Sequence, residues 1–283
     1  MSRVAIVTDS ASDLPPAAAA AAGIDVVPLV VTFGSQTYKA GVELSTDEFW
    51  RRMTAPDAPF PTTAASAPGD FKAAYERCFA AGAEAIVSVH VTGTLSGTIK
   101  SAEIARTMLA GRDIRIVDSG SASMGQGILA ELGSEMAAGG AHADEIAAVL
   151  EDRKTDLDLY VALDTLAYLK KGGRISGAQA AIGTLLSVKP IITIREGVVH
   201  TADKPRTRGK ARERVLELLT RRPIERLAVL YGPPADGDAF RREALERLAG
   251  KLDPARVSIQ PIGPSVGPHV GPGCVGGVVL YAR

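Results

Sequence analysis

The sequence predicts an α/β protein with a largely parallel sheet, and three observations carry that reading. Apolar runs at residues 4–7, 24–33, 86–91 and 114–117 are strand-length. Longer stretches rich in Ala, Glu and Arg separate them, and strand–helix alternation calls for parallel strands joined by helical crossovers. The 283 residues exceed one small domain and suffice for two separate cores.

Taken in order, the first run, Val4-Ala5-Ile6-Val7, ends in Thr8-Asp9-Ser10, where an aspartate followed by serine shapes a turn. Residues 17–22 are a strong helix-forming segment. Helices are expected after Ser45, whose Ser-Thr-Asp-Glu is cap-like, and over 68–81, 95–109, 124–138 and 143–153. From about residue 157 the pattern changes to a strand over 159–163, helices around 165–171 and 177–186, and two strands turning at Glu196-Gly197. A helix after Thr207, a strand over 227–231, a helix over 238–252 and strands near 257–262 and 275–281 complete the chain. The expected division is an N-terminal α/β domain, 1–156, and a C-terminal α/β domain, 157–283.

Composition narrows the function. Lys+Arg and Asp+Glu balance at 32 each, so there is no basic excess to release counterions from a nucleic acid or to hold an anionic membrane. Cys78 and Cys274 lie far apart with no metal-ligand spacing, which speaks against a disulfide framework or structural zinc and for a reducing cytoplasm. A strand beginning at Val4 leaves no room for a secretory signal, so an unexported protein is expected. The nearly charge-free stretch 175–194 contains Gly177, Gly183, Lys189 and Pro190, which spoil a spanning helix; it is expected to be buried or to line a groove.

Three hydroxyl-rich loops stand before expected helices. Thr92-Gly93-Thr94-Leu95-Ser96-Gly97-Thr98 follows a strand and opens a helix, a place suited to an anion, although Thr94 and Ser96 could equally cap the helix. Phe60 to Asp70 and Asp118-Ser119-Gly120-Ser121-Ala122-Ser123 read the same way, with capping by Ser66, Ser121 or Ser123 as the plain alternative. His269 sits in Gly267-Pro268-His269-Val270-Gly271-Pro272-Gly273, read as a rigid loop, with no second histidine at metal-ligand spacing. Lys170-Lys171-Gly172-Gly173-Arg174 closes a helix, and Lys204 to Arg208 is a charge run of the kind that is usually solvated. No P-loop, no G-x-G-x-x-G after the first strand and no G-x-S-x-G elbow occurs, so no catalytic residue and no cofactor is expected.

Taken together these segments resemble the DegV family nearly end to end. The resemblance rests on Asp9-Ser10-Ala11-Ser12-Asp13-Leu14-Pro15, Leu95-Ser96-Gly97-Thr98, Asp118-Ser119 with Met124-Gly125, Leu169-Lys170-Lys171-Gly172-Gly173-Arg174 followed by Val188-Lys189-Pro190, and His269-Val270-Gly271-Pro272-Gly273. It implies a two-domain DegV-like fold with a lipid tunnel between the domains, and a carrier that presents a long-chain fatty acid to a separate fatty acid kinase for acyl-phosphate formation. By that resemblance Thr63, Ser96, Gly97 and His269 bind the carboxylate. Thr62, Thr98, Ser119, Ser121, Arg174, Ile182 and Leu185 belong to the tunnel or its mouth, and Arg174 and Arg206 meet the partner or a phosphate. Ala64, Ala65 and Ser66 stand where the family usually has Ser, Gln and Pro, and Ala40 where it has an acidic residue.

The chemistry is consistent with those residue types. Hydroxyls and a helix N-terminus hold a carboxylate at roughly 1.5–3 kcal/mol per charge-assisted bond. About fourteen buried methylenes contribute on the order of 11 kcal/mol before ordering costs. A hydrolase or acyltransferase using a loop serine with His269 is the alternative; it requires a base and an orienting group to converge on that serine. A regulatory module with lipid as effector is a third reading.

Overall fold

The computed structural model describes residues 3–176 and 188–283. Ile182, Leu185 and the helix expected over 177–186 lie outside the described residues. The first part of the chain contains β1 (Val4–Asp9), α1 (Pro16–Ala21), β2 (Ile24–Val27), β3 (Val30–Phe33), β4 (Gln36–Lys39), α2 (Thr46–Met53), β5 (Thr62–Ala64) and α3 (Pro68–Ala80). It continues with β6 (Ala85–His90), α4 (Thr98–Met108), β7 (Asp113–Asp118), α5 (Met124–Ala138) and α6 (Ala143–Arg153). Strands β2-β1-β6-β7 form a four-stranded, wholly parallel sheet. Strands β4-β3-β5 form a small antiparallel one.

The second part contains β8 (Leu157–Ala162), α7 (Ala167–Lys171), β9 (Ile191–Arg195), β10 (Val198–Asp203), α8 (Arg208–Leu219), β11 (Ile224–Tyr231), α9 (Gly237–Arg247), β12 (Val257–Pro261), α10 (Gly267–Val270) and β13 (Val275–Tyr281). Its six strands make one mixed sheet in the order β10-β9-β8-β13-β11-β12, in which only β11 and β12 run parallel.

Local chemistry explains where the elements break. The apolar run 24–33 is two strands in two sheets, because Pro28 lacks the N–H that a continuous ladder needs and its carbonyl accepts from Ser66 Oγ instead. Ser66 is therefore not the cap of α3; Asp70 closes that helix start by accepting from Ala67 N. Ser45 does cap α2 through Glu48 N, as its sequence context implies. The segment 267–270, expected as a loop, winds into the short helix α10, with Pro268 where a missing N–H costs nothing.

Helix α5 is wedged between the two large sheets. Its small residues permit this: a Cβ on Gly133 would lie 3.4 Å from Ile6 of the parallel sheet, and one on Gly125 3.8 Å from Val278 of the mixed sheet. The largest core cluster accordingly mixes residues of both sheets, such as Ile6, Val87 and Leu129 with Leu159, Leu230 and Val278. Burial on this scale, at about 25 cal/mol per Å² of apolar surface, ties the two parts together.

Candidate functional site

Parallel sheets offer a site beyond the carboxyl ends of their strands, where loops gather and helix N-termini point. Here Ala11, Leu29, Val91 and Ala122 follow β1, β2, β6 and β7 respectively and pack as one small cluster with Ile194 and Val266 of the second part. These six residues line a cavity of about 120 Å³ between the sheets, the space of several waters at roughly 10–15 Å³ each. Its opposite wall is one face of the mixed sheet: Leu159 and Val161 on β8, Ile192 on β9, Val199 on β10 and Leu230 on β11. Period-two alternation and the register Val161↔Ile192 bring these side chains to one side.

The polar end collects residues from four distant segments: Thr63 of β5, Ser96 and Gly97 before α4, Arg174 after α7, and His269 of α10 all line the cavity. His269 Nε2 lies 3.0 Å from Thr63 Oγ1, across 206 positions of sequence. Ser96 Oγ lies 2.8 Å from Thr98 Oγ1 and accepts from Thr98 N, so the loop turns tightly into α4 with Gly97 at the helix start. Arg174 Nε donates to Leu95 O at 3.1 Å and Nη1 to Gly172 O at 2.7 Å; the guanidinium therefore grips the loop that carries Ser96. Thr94 Oγ1 donates to Gly197 O, so the tip of the β9–β10 hairpin holds the same loop from a second side.

Burial and the nearby Arg174 cation push His269 down to about 4, so the ring is neutral around pH 7. Its Nδ1 has no hydrogen-bond partner among the described residues and abuts Gly172, where a Cβ would come within 2.3 Å. A buried donor without a partner costs more than a lone pair without one, which favours the tautomer with the proton on Nε2. Nε2–H then donates to Thr63 Oγ1, and the Thr63 hydroxyl hydrogen is left to donate into the cavity.

The remaining expected residues sit elsewhere. Thr62 is exposed on the opposite side of β5, and Thr98 is buried in the first turn of α4. Ser119 and Ser121 close a turn of their own, Ser121 N donating to Ser119 Oγ. Arg206 is exposed before α8. None of these five lines the cavity among the described residues. Of the apolar lining, the charge-free stretch 175–194 anticipates Ile192 and Ile194, while the rest went unnamed in the sequence reading; its signal is same-parity spacing in β8 and the residues that follow each parallel strand.

Two arrangements bear on nucleophilic chemistry. No serine bonds His269, and no carboxylate orients it, among the described residues. Ser88 Oγ, His90 Nε2, His90 Nδ1 and Asp9 Oδ2 do form a Ser–His–Asp chain at 2.7 and 2.9 Å, but all three residues are fully buried, Tyr75 OH also donates to Ser88, and none reaches the cavity. That chain ties β1 to β6. Among the described residues no group of three His, Cys, Asp or Glu could hold a metal ion, and no helix is long and apolar enough to cross a membrane.

Fold and cavity thus define a three-sheet α/β protein with an apolar site between its two large sheets that ends in neutral hydroxyl and imidazole groups. The sequence profile described as "Uncharacterised protein, DegV family" matches residues 3–282, and the chain belongs to that family. A DegV domain-containing protein of Listeria monocytogenes is 33% identical over 279 residues, 97% of each chain. Protein DegV of Bacillus subtilis is 33% identical over 278 residues, 96% of this chain and 97% of that one. Among solved structures, a fatty-acid-binding DegV family protein from Thermus thermophilus superposes with TM-score 0.90 at 35% identity, covering 99% of this chain and all of the other. The fatty-acid-binding DegV of Bacillus subtilis gives 0.86 at 31%, with 99% of both covered. A stearic-acid-binding protein from Eubacterium ventriosum gives 0.87 at 27%, covering 99% and 98%.

Proposed function

We propose that this protein binds a long-chain fatty acid without covalent change, the carboxylate at Thr63, Ser96, Gly97 and His269 and the tail in the apolar cavity between units 1–156 and 157–283. The observation that carries this reading is the cavity itself, apolar along both sheets and furnished with neutral donors at one end. A neutral His269 gives its Nε2–H to Thr63 and so leaves the Thr63 hydroxyl to donate to the carboxylate, and the first turn of α4 adds backbone N–H groups. The similar structures from Thermus thermophilus and Bacillus subtilis are those of fatty-acid-binding proteins, which supports the same ligand class.

Chloroform extraction of the purified protein is expected to yield a long-chain acid, and added acid should raise the melting temperature. Recovery of none, with no thermal shift, removes the proposal. Thr63→Val and Ser96→Ala should each weaken binding by about tenfold, the cost of one charge-assisted bond, with the fold intact. Calorimetry with palmitate or oleate reads this, and unchanged affinity in the double variant would place the carboxylate elsewhere.

The proposal extends to presentation of the acid to a partner kinase that forms the acyl phosphate, in the cytoplasm and towards phospholipid metabolism. Arg206 supports it as an exposed guanidinium on the segment leading into α8, where a planar fork can meet a phosphate or an acidic partner surface. Arg206→Ala is expected to keep fatty acid affinity and to lose acyl-phosphate formation in an assay reconstituted with a fatty acid kinase; undiminished turnover would free Arg206 of that role.

A further inference from the structure

The Asp9-Ser10-Ala11-Ser12-Asp13 segment is unused by the site chemistry above, yet it touches the turn that carries His269 at two points. Asp13 Oδ1 accepts from Gly263 N at 2.9 Å, and Ser10 Oγ lies 2.8 Å from Ser265 Oγ. Gly263 O in turn accepts from Val266 N and Gly267 N, which starts α10, and His269 N donates to Val266 O. On the other side, Ser123 Oγ donates to Asp13 Oδ2 at 2.5 Å, and Ser123 N to Ala11 O at 2.8 Å. Ala11, Ser123, Ser265 and Val266 all line the cavity. Asp13 therefore joins the start of α5 to the 263–267 turn, one joint from each half of the chain.

The local backbone is shaped for this contact. Asp13 holds a left-handed conformation, φ 54°, and Ser123 has φ 55°, both unusual for residues other than glycine. A Cβ on Gly263 would lie 2.8 Å from Asp13 Oδ1, so only glycine lets the N–H approach the carboxyl so closely. Ser123, at the start of α5, gives its hydroxyl to Asp13 rather than to the helix N-terminus.

We propose that Asp13 is a positioning residue for the candidate site, a proton-operated joint that holds the 263–269 turn against the N-terminal half when its carboxyl group is protonated and slackens it on ionisation. Protonation on Oδ2 reverses the Ser123 contact, so that the carboxyl O–H donates to Ser123 Oγ while Oδ1 still accepts from Gly263 N. Ionised, it becomes a buried anion that no cation among the described residues balances: the groups acting on it are Ser123, Gly263 N and the like-charged Asp9 at the end of β1, and Cys274 before β13 is the further titratable neighbour. Burial, the largest influence, raises the carboxyl to about 7, inside the range where the joint can respond. Protons can reach it, since Asp13, Ser10 and Gly263 also line a cleft on the outer surface.

Trp50 reports on the joint without any ligand. It is the chain's one tryptophan, its Nε1 donates to Ile262 O at 2.8 Å, and its ring packs beside Gly267. Titrated from about pH 5.5 to about pH 8.5, Trp50 emission of the ligand-free protein is expected to change with a midpoint near 7. Asp13→Asn, which keeps an acceptor for Gly263 and tolerates the left-handed backbone, should abolish that transition. Ser123→Ala removes a donor that stabilises the anion and should move the midpoint upward, a second test if Asp13→Asn folds poorly. A flat native titration, or the same midpoint in Asp13→Asn, overturns the joint.

The consequence for ligand rests on the fatty-acid reading. The dissociation rate of a fluorescent fatty acid, cis-parinaric acid, should rise about tenfold across that range in the native protein and stay level in Asp13→Asn. Equal pH dependence in both proteins overturns the coupling. Binding at no pH instead removes the fatty-acid reading, and the Trp50 titration then decides the joint by itself.

Discussion

Replacing Gly276 by alanine is expected to cost on the order of 4 kcal/mol or more, a large share of the ~5–15 kcal/mol that holds a typical domain folded. Gly276 sits in β13 between β8 and β11, paired with Val161 on one side and Leu230 on the other. A Cβ there would fall 2.1 Å from Tyr160 O and 2.6 Å from Val161 Cα. Both are backbone atoms, so no rotamer change relieves the overlap and the strand itself has to move. Because Val161 and Leu230 line the cavity, the damage reaches the site as well. Gly23→Ala is the comparison: its φ of +65° costs ~1–2 kcal/mol, but nothing lies within 4 Å of the new methyl group. Urea denaturation of both variants reads the difference. A midpoint for Gly276→Ala equal to that of Gly23→Ala would show that β13 yields where the geometry says it cannot.

Buried Asp13 and partly buried His269 are expected to give opposite stability–pH slopes that largely offset each other in the native protein. Asp13 is raised from 3.8 to about 7. The folded state then keeps a proton that the unfolded chain releases, so this contribution is full below 3.8 and lost as pH rises through about 7, ~4 kcal/mol in all. His269 is lowered from 6.5 to about 4, so its contribution is full above 6.5 and lost as pH falls through about 4, ~3 kcal/mol. Between pH 4 and 6.5 the two oppose each other. Asp13→Asn should therefore make stability climb with pH over that window, and His269→Gln should make it fall steadily toward pH 7. Asp156 and Asp164, held low by Arg283, Arg208 and Lys189, add losses only in more acidic solution. Unfolding free energies from urea titrations at several pH values test the pair; slopes in both variants equal to the native slope would deny that either group is held as the structure has it.

Where one strand's length of sequence contains the whole cause, the element was legible. Ser45 before Thr-Asp-Glu caps α2, Glu196-Gly197 turns the β9–β10 hairpin with both residues at positive φ, and the parallel strands β1, β6 and β7 stand where apolar runs predict them. Pro28 was equally visible, yet the division of 24–33 between two sheets depends on which strands lie alongside, and no local pattern carries that. Serine hydroxyls were the least legible: Ser66 and Ser123 both read as helix caps, and both turn instead to distant partners, Pro28 O and Asp13.

The sequence by itself determined the family, the α/β alternation and a short list of hydroxyl, imidazole and guanidinium groups, because spacing and motif order are properties of the chain. Only the tertiary structure decided that Thr63 meets His269, that Arg174 grips the Leu95 carbonyl, and that Asp13 spans from Ser123 to Gly263. The physical reason is separation. Partners 79 to 250 positions apart are brought within hydrogen-bond distance by the packing of two sheets against α5, and burial, which sets the protonation of His269 and Asp13, exists only once that packing has excluded water.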